Sequence, residues 1–132
     1  MEICRSILVV DDNEDIRDAI CLLLKEQHFD VAMAKDGRDA FKQLKKLNPP
    51  TLILLDLMMP VMNGWEFMHM RKLWNEQSDP IITISAVRQE LNSIDVDATD
   101  VLANITKPID FYKLIEVVNR YCTREDSKVA DL

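Results

Sequence analysis

Residues 51–65 read TLILLDLMMPVMNGW. Residues 52–55 are apolar without a break. A single carboxylate, Asp56, then interrupts before the apolar run resumes over residues 57–61. An ionised carboxylate is costly to bury without partners. Asp56 must therefore end a strand at an open edge or meet a counter-charge supplied from elsewhere in the chain. A short continuous apolar run without polar alternation suits a strand covered on both faces. Asn63-Gly64 follows as a turn, and the spacing predicts a helix over about 65–74.

The same pattern recurs on either side. SILVV (6–10) is a β-rich run ending in Asp11 and Asp12, and DVAMA (30–34), PIITIS (80–85) and VLANIT (101–106) read as further strands. Between them, apolar residues recur at helical spacing: Ile16, Ala19, Ile20, Leu23 and Leu24, then Ala40, Phe41, Leu44 and Leu47. A last helix carries Phe111, Leu114, Ile115 and Val118 on one face, with Pro108 where its first turn would begin. The prolines fall between elements or at their starts, and the two glycines, Gly37 and Gly64, follow Asp or Asn at turns. Residues 88–100 should hold a helix. Asn92, Ser93, Asp95, Asp97, Thr99 and Asp100 form helices poorly, so a short or irregular one is expected. Strands alternating with helices predict an α/β fold: a five-stranded parallel sheet, doubly wound, with helices on both faces. In such sheets ligands bind beyond the carboxyl ends of the strands. Asp56 then lies at the sheet's mouth.

The chain has 132 residues, enough for one domain, expected over 1–122 with a polar tail over 123–132. Its net charge of −7 argues against direct nucleic-acid binding, which needs a basic surface. Cys4, Cys21 and Cys122 are far apart and show no metal-ligand spacing, so buried or idle thiols are expected. The N-terminus has no basic region followed by a long apolar run, and no stretch suits a membrane span. A cytoplasmic protein without membrane insertion, monomeric or weakly dimeric, is the expectation.

A parallel sheet brings its strand ends to one edge. Here that collects Asp11 and Asp12 from the first strand, Asp56 from the third, Ser85 from the fourth and Lys107 from the fifth. Three carboxylates raise one another's pKa unless cations join them. Lys107 supplies one positive charge, and hard oxygen ligands with excess negative charge suit Mg²⁺. Such a site can receive a phosphoryl group on a carboxylate, with Lys107, Ser85 and the metal at its oxygens. The bland readings are a strand-end turn residue for Asp56, a helix-dipole role for DDNED, and a surface lysine for Lys107. The company of the other residues favours the functional reading. His28 and His69 fall outside the set and read as solvated. Met58, Met59, Met62, Met68 and Met70 read as packing residues. Trp65, Trp74 and the side of the last helix bearing Tyr112, Val117 and Tyr121 suit either a partner surface or a buried stripe.

ILVVDD, ILLDLMMPVMNG, ITISA and ITKP, in this order and each at a strand end, together resemble the receiver domain of two-component response regulators. The resemblance runs from about residue 6 to 121 and is to the stand-alone, chemotaxis-regulator-like kind. It implies the flavodoxin-like strand order 2-1-3-4-5, a doubly wound arrangement the family itself exemplifies. It also implies that Asp56 accepts phosphate from a sensor histidine kinase or a histidine phosphotransfer protein. Asp11, Asp12, Asp56 and the Met58 backbone carbonyl would bind Mg²⁺. Ser85 and Lys107 would contact the phosphoryl oxygens, with Lys107–Pro108 often cis. Output would pass to a downstream protein target by contact. The domain would assist its own phosphorylation and slow dephosphorylation without being an enzyme in the ordinary sense.

Two departures stand beside the match. The family usually has an aromatic residue three before the lysine, where this chain has Asn104, and often Gly-Ala where it has Asp100-Val101. Asn104 is smaller and polar and is expected to stay at the surface. It leaves open a receiver-fold interaction module that signals without phosphorylation. A flavodoxin-type nucleotide binder fits less well, because residues 11–15 are acidic where phosphate would need backbone N–H groups. An aspartyl-phosphate phosphatase would want an acid two residues after its nucleophile, and that residue is Met58.

Overall fold

The computed structural model describes residues 4–47, 49–59, 61–74, 79–86 and 101–122. The segment 88–100, read above as an irregular helix, lies outside the described residues, as does the tail 123–132. In chain order the elements are β1 (Ser6–Val10), α1 (Glu14–Glu26), β2 (Val31–Ala34), α2 (Gly37–Leu44), β3 (Thr51–Asp56), α3 (Gly64–Trp74), β4 (Ile81–Ser85), β5 (Val101–Thr106) and α4 (Phe111–Tyr121). The strands pair in parallel in the order β2-β1-β3-β4-β5, the expected doubly wound arrangement.

Period-two alternation divides the apolar strand residues between two cores. Ile7, Val9, Leu52, Leu54, Ile82 and Ile84 pack with Ile20 and Leu24 of α1 and Leu114 and Val118 of α4. Leu8, Val10, Ile53, Leu55 and Ile81 pack on the other face with Ala40 of α2 and Phe67 and Met68 of α3. Both faces of the sheet are thus covered, which is why β1 and β3 read as unbroken apolar runs.

The helix starts are fixed by side-chain caps that satisfy orphan N–H groups. Asn13 Oδ1 accepts from Ile16 N at 3.2 Å, and Asp36 Oδ1 from Asp39 N at 2.8 Å. Asn63 Oδ1 accepts from Glu66 N at 2.9 Å while Glu66 Oε1 accepts from Asn63 N at 3.3 Å, a reciprocal capping box. Asp110 Oδ1 accepts from Tyr112 N and Lys113 N. Glu14 and Asp15 in the first turn of α1 complement its dipole, as read from DDNED.

Four expectations are corrected. Pro108 does not open the last helix: Asp110 is its N-cap and Phe111 its first residue. Pro108 instead follows Lys107 through a cis peptide bond. On α4 the buried face is Leu114, Val117 and Val118, with Phe111 39% exposed at its margin. Cys4 and Cys122 are not idle thiols: their backbones pair in a parallel bridge, their side chains form a disulfide, and Cys21 is a buried free cysteine. Asn104 does not stay at the surface: its carboxamide turns inward and bonds the Thr83 and Ser85 hydroxyls. The partners that its burial requires are therefore supplied by β4.

Candidate functional site

The carboxyl ends of β3, β4 and β5 are tied together by main-chain bonds, Leu57 N to Ile84 O at 3.1 Å and Lys107 N to Ser85 O at 2.8 Å, and Asp11 N at the end of β1 bonds Ala34 O of β2 at 3.1 Å. This fixes the side chains that follow. Asp11 and Asp56 are buried and Asp12 is exposed. One carboxylate oxygen from each lies within 4.8 Å of the others. Lys107 reaches across from the end of β5, and its Nζ donates to Asp56 Oδ1 at 3.3 Å. Met58 N donates to the same oxygen at 3.1 Å. Asn13 N donates to Asp11 Oδ1 at 2.9 Å, whereas Asp11 Oδ2 is buried with no hydrogen-bond partner among the described residues.

Burial is the main force on these acids. It pushes the Asp56 carboxyl up to about 6, and the charge of Asp11 beside it adds to the rise. The Met58 N–H and Lys107 pull the other way without cancelling it. Burial raises Asp11 as well, against the Asn13 N–H and Lys107. One lysine does not neutralise the cluster. The unpartnered Asp11 oxygen and the converging carboxylates are what a hard divalent cation would satisfy.

Ser85 is fully buried at the end of β4, and its hydroxyl bonds Asn104 Oδ1 at 3.1 Å. That neighbour is set by an irregularity. Ile81 pairs with Val101, but Ile82 pairs with Ala103, so β5 holds one extra residue, Leu102. In-register parallel partners point to the same face. Without the extra residue Asn104 would lie opposite Ile84 on the other face. With it, Asn104 lies opposite Thr83. No sequence signal marked this contact.

The family model of the response regulator receiver domain matches residues 7–119. The chain belongs to that family. The receiver is 36% identical over 126 residues to Response regulator RR06 of Streptococcus pneumoniae, covering 92% of this chain and 56% of that protein. A response regulator receiver protein from Pseudomonas putida shares 28% identity with a TM-score of 0.78, over 91% of this chain and 99% of that one. The response regulator protein TrrA of Thermotoga maritima, in complex with Mg²⁺-BeF, shares 28% identity with a TM-score of 0.72, over 91% and 98%. The receiver spans about half the length of several curated relatives that it matches.

The structure thus brings together Asp11, Asp12, Asp56, Met58 and Lys107, and places Ser85 at the neighbouring strand end. His28 and His69 are exposed and apart from the cluster. Met59 and Met68 are buried in the core, whereas Met58 is 58% exposed. The suspected aromatic partner face is divided: Val117 is buried, while Tyr112 is 91% exposed. Tyr112, Phe111 and Ile115 line an apolar groove of ≈ 520 Å³ together with Leu22 and Leu23 of α1. Among the described residues no helix is long and apolar enough to cross a membrane.

Proposed function

We propose that this receiver is the phosphoacceptor of a two-component phosphorelay and that Asp56 takes the phosphoryl group. The observation that carries the reading is a nearly fully buried carboxylate at the sheet mouth, raised to about 6, with Lys107 on one oxygen and Asp11 beside it. A carboxyl of that pKa is ionised at neutral pH yet more basic than an ordinary aspartate, which favours a nucleophile. Lys107 and Met58 N both hold Oδ1, leaving Oδ2 for the new bond. Asp56 attacks the phosphorus of a phosphohistidine on a sensor kinase or phosphotransfer protein. The O–P bond forms as the N–P bond breaks, and the leaving imidazole keeps the electron pair and takes a proton. Lys107 and Ser85 receive the phosphoryl oxygens.

Asp11, Asp12, Asp56 and the Met58 carbonyl would hold Mg²⁺, and the donor set fits it. The Mg²⁺-BeF complex of the Thermotoga relative supports the assignment. When bound, the ion offsets the charge of the carboxylates and of the transferring group. Output then passes by protein contact, and the net charge of −7 disfavours direct nucleic-acid binding. The unit is taken as a receiver over 1–122 with a tail over 123–132, acting in the cytoplasm.

The test is phosphorylation by acetyl phosphate, which replaces the kinase with a small donor. Wild type with Mg²⁺ should gain one phosphoryl group by intact mass, and Asp56→Asn none. Mg²⁺ should raise the melting temperature of wild type by mass action and do so much less in Asp12→Ala. Full phosphorylation of Asp56→Asn would refute the acceptor assignment. An Asp12→Ala shift equal to wild type would refute the metal assignment. A wild type that gains nothing would favour the phosphorylation-independent interaction module.

A further inference from the structure

Asn104 sits where the family usually has an aromatic ring, and its bonds give it a different means of acting on the site. Thr83 Oγ1 donates to Asn104 Oδ1 at 2.8 Å, and Ser85 Oγ donates to the same atom at 3.1 Å. A hydroxyl has one proton to give. In this arrangement the Ser85 hydroxyl donates to Asn104. The other end of the carboxamide, Nδ2, is buried and has no hydrogen-bond partner among the described residues.

The two ends of a carboxamide are nearly the same size, so a half-turn exchanges them without new space. After the turn, Nδ2 has two protons facing two hydroxyl oxygens. The Thr83 proton then has the Ala103 carbonyl as acceptor, already 3.5 Å from Oγ1. The Ser85 proton is released from Asn104. Either orientation pairs one end of the amide with the two hydroxyls and leaves the other end without a partner among the described residues. The two orientations are therefore close in free energy, as a two-state element requires.

We propose that Asn104 is a positioning residue for phosphoryl transfer: its carboxamide holds the Ser85 proton in one orientation and, turned over, releases it toward the phosphoryl group on Asp56. This inference rests on the acceptor role given to Asp56 above. In the reaction with acetyl phosphate an Asp56 oxygen bonds phosphorus, the donor's O–P bond breaks, and acetate leaves with the electron pair. Ser85 contributes a hydrogen bond to a phosphoryl oxygen and keeps its proton throughout.

The test is a double-mutant cycle on the phosphorylation rate, resolved into kcat and KM for acetyl phosphate. Asn104→Asp puts an acceptor at both ends, so the Ser85 proton is held whichever way the group turns. Asn104→Leu keeps the approximate shape and makes no bond. A neutral hydrogen bond corresponds to about a two- to tenfold change in rate. Asn104→Asp should lower kcat by about that factor or more with little change in KM, and Asn104→Leu should fall between it and wild type. With Ser85→Ala also present, all three side chains at 104 should give rates within about twofold of one another, because the coupling acts through that hydroxyl. Asn104→Asp as fast as wild type would overturn the proposal. So would an equal loss with Ser85→Ala present, which would mark an effect of charge alone. If Asn104→Asp does not fold, the Asn104→Leu arm completes the cycle, and an equal effect with and without the Ser85 hydroxyl overturns the proposal. A wild type unmodified at Asp56 would instead overturn the acceptor reading, with this inference, and is recognised by not depending on residue 104.

Discussion

Asp56 is at odds with the stability of the metal-free fold. Its pKa rises from 3.8 to about 6, mainly through burial and then through Asp11. The native state therefore holds a proton that the unfolded chain has already released. The sign follows from linkage: the stability associated with this group is fully present below the unfolded value and is lost as pH rises through the folded one. Asp11, also raised, adds in the same direction. Without Mg²⁺ the protein should lose stability between about pH 4 and pH 7 from these two groups. Asp56→Asn keeps the shape and removes the charge. Above neutral pH and in EDTA it should be more stable than wild type by about 1–3 kcal/mol, with a flatter pH dependence. Urea unfolding across that range checks this. An Asp56→Asn protein no more stable than wild type would show that Lys107 and Met58 N compensate the buried charge in full. The residues of this site were legible in the sequence because they fall at or just past the ends of strands. The Ser85–Asn104 bond was not, since it depends on one extra residue, Leu102, that leaves no compositional mark.

At the scale of elements, the loop between β3 and α3 must return close to the strand it leaves. Gly64 N bonds Leu57 O at 3.1 Å. A Cβ on Gly64 would stand 2.8 Å from Leu57 Cα and 2.9 Å from Asp56 O. The demand is for close approach, because Gly64 does not have a positive φ. Gly64→Ala should force the backbone at 56–57 to shift, at a cost of about 1–3 kcal/mol, and should slow phosphorylation. Gly37 is the contrast. The atoms nearest a Cβ there belong to the Met62 side chain, from 2.8 Å, and a thioether chain can move aside. Gly37→Ala should therefore cost less, and melting temperatures of the two variants compare them directly. Equal losses would mean that the loop yields as readily as a side chain. Turn residues and caps made the element boundaries readable, Asn63 and Asp36 most plainly. Pro108 misled because its fixed φ suits the first turn of a helix and a connecting segment alike, and Asp110 decides between them.

At the scale of the whole molecule, strand alternation with helices was enough to imply a parallel sheet, but the strand order came from the family resemblance and was then observed. The joining of Cys4 to Cys122 was beyond sequence reading: the two are 118 residues apart, and three cysteines allow three pairings. The disulfide ties the start of the sheet to the end of α4. Unfolded protein prepared without reductant should show one titratable thiol, Cys21. Reduction should lower stability by roughly 2–4 kcal/mol. Three titratable thiols would contradict the pairing. The parallel sheet also explains why residues as far apart as Asp11 and Lys107 act on one carboxylate, since strand ends converge wherever their strands lie in the chain. If these groups converge to make Asp56 the acceptor, the phosphoryl group will be found on that side chain. Wild-type protein is incubated with acetyl phosphate and Mg²⁺, the acyl phosphate is reduced with borohydride, and the modified residue is sequenced by mass spectrometry. Homoserine is expected at position 56 and at no other acid. Modification centred on Asp11, Asp12 or any other carboxylate, with Asp56 intact, would contradict it.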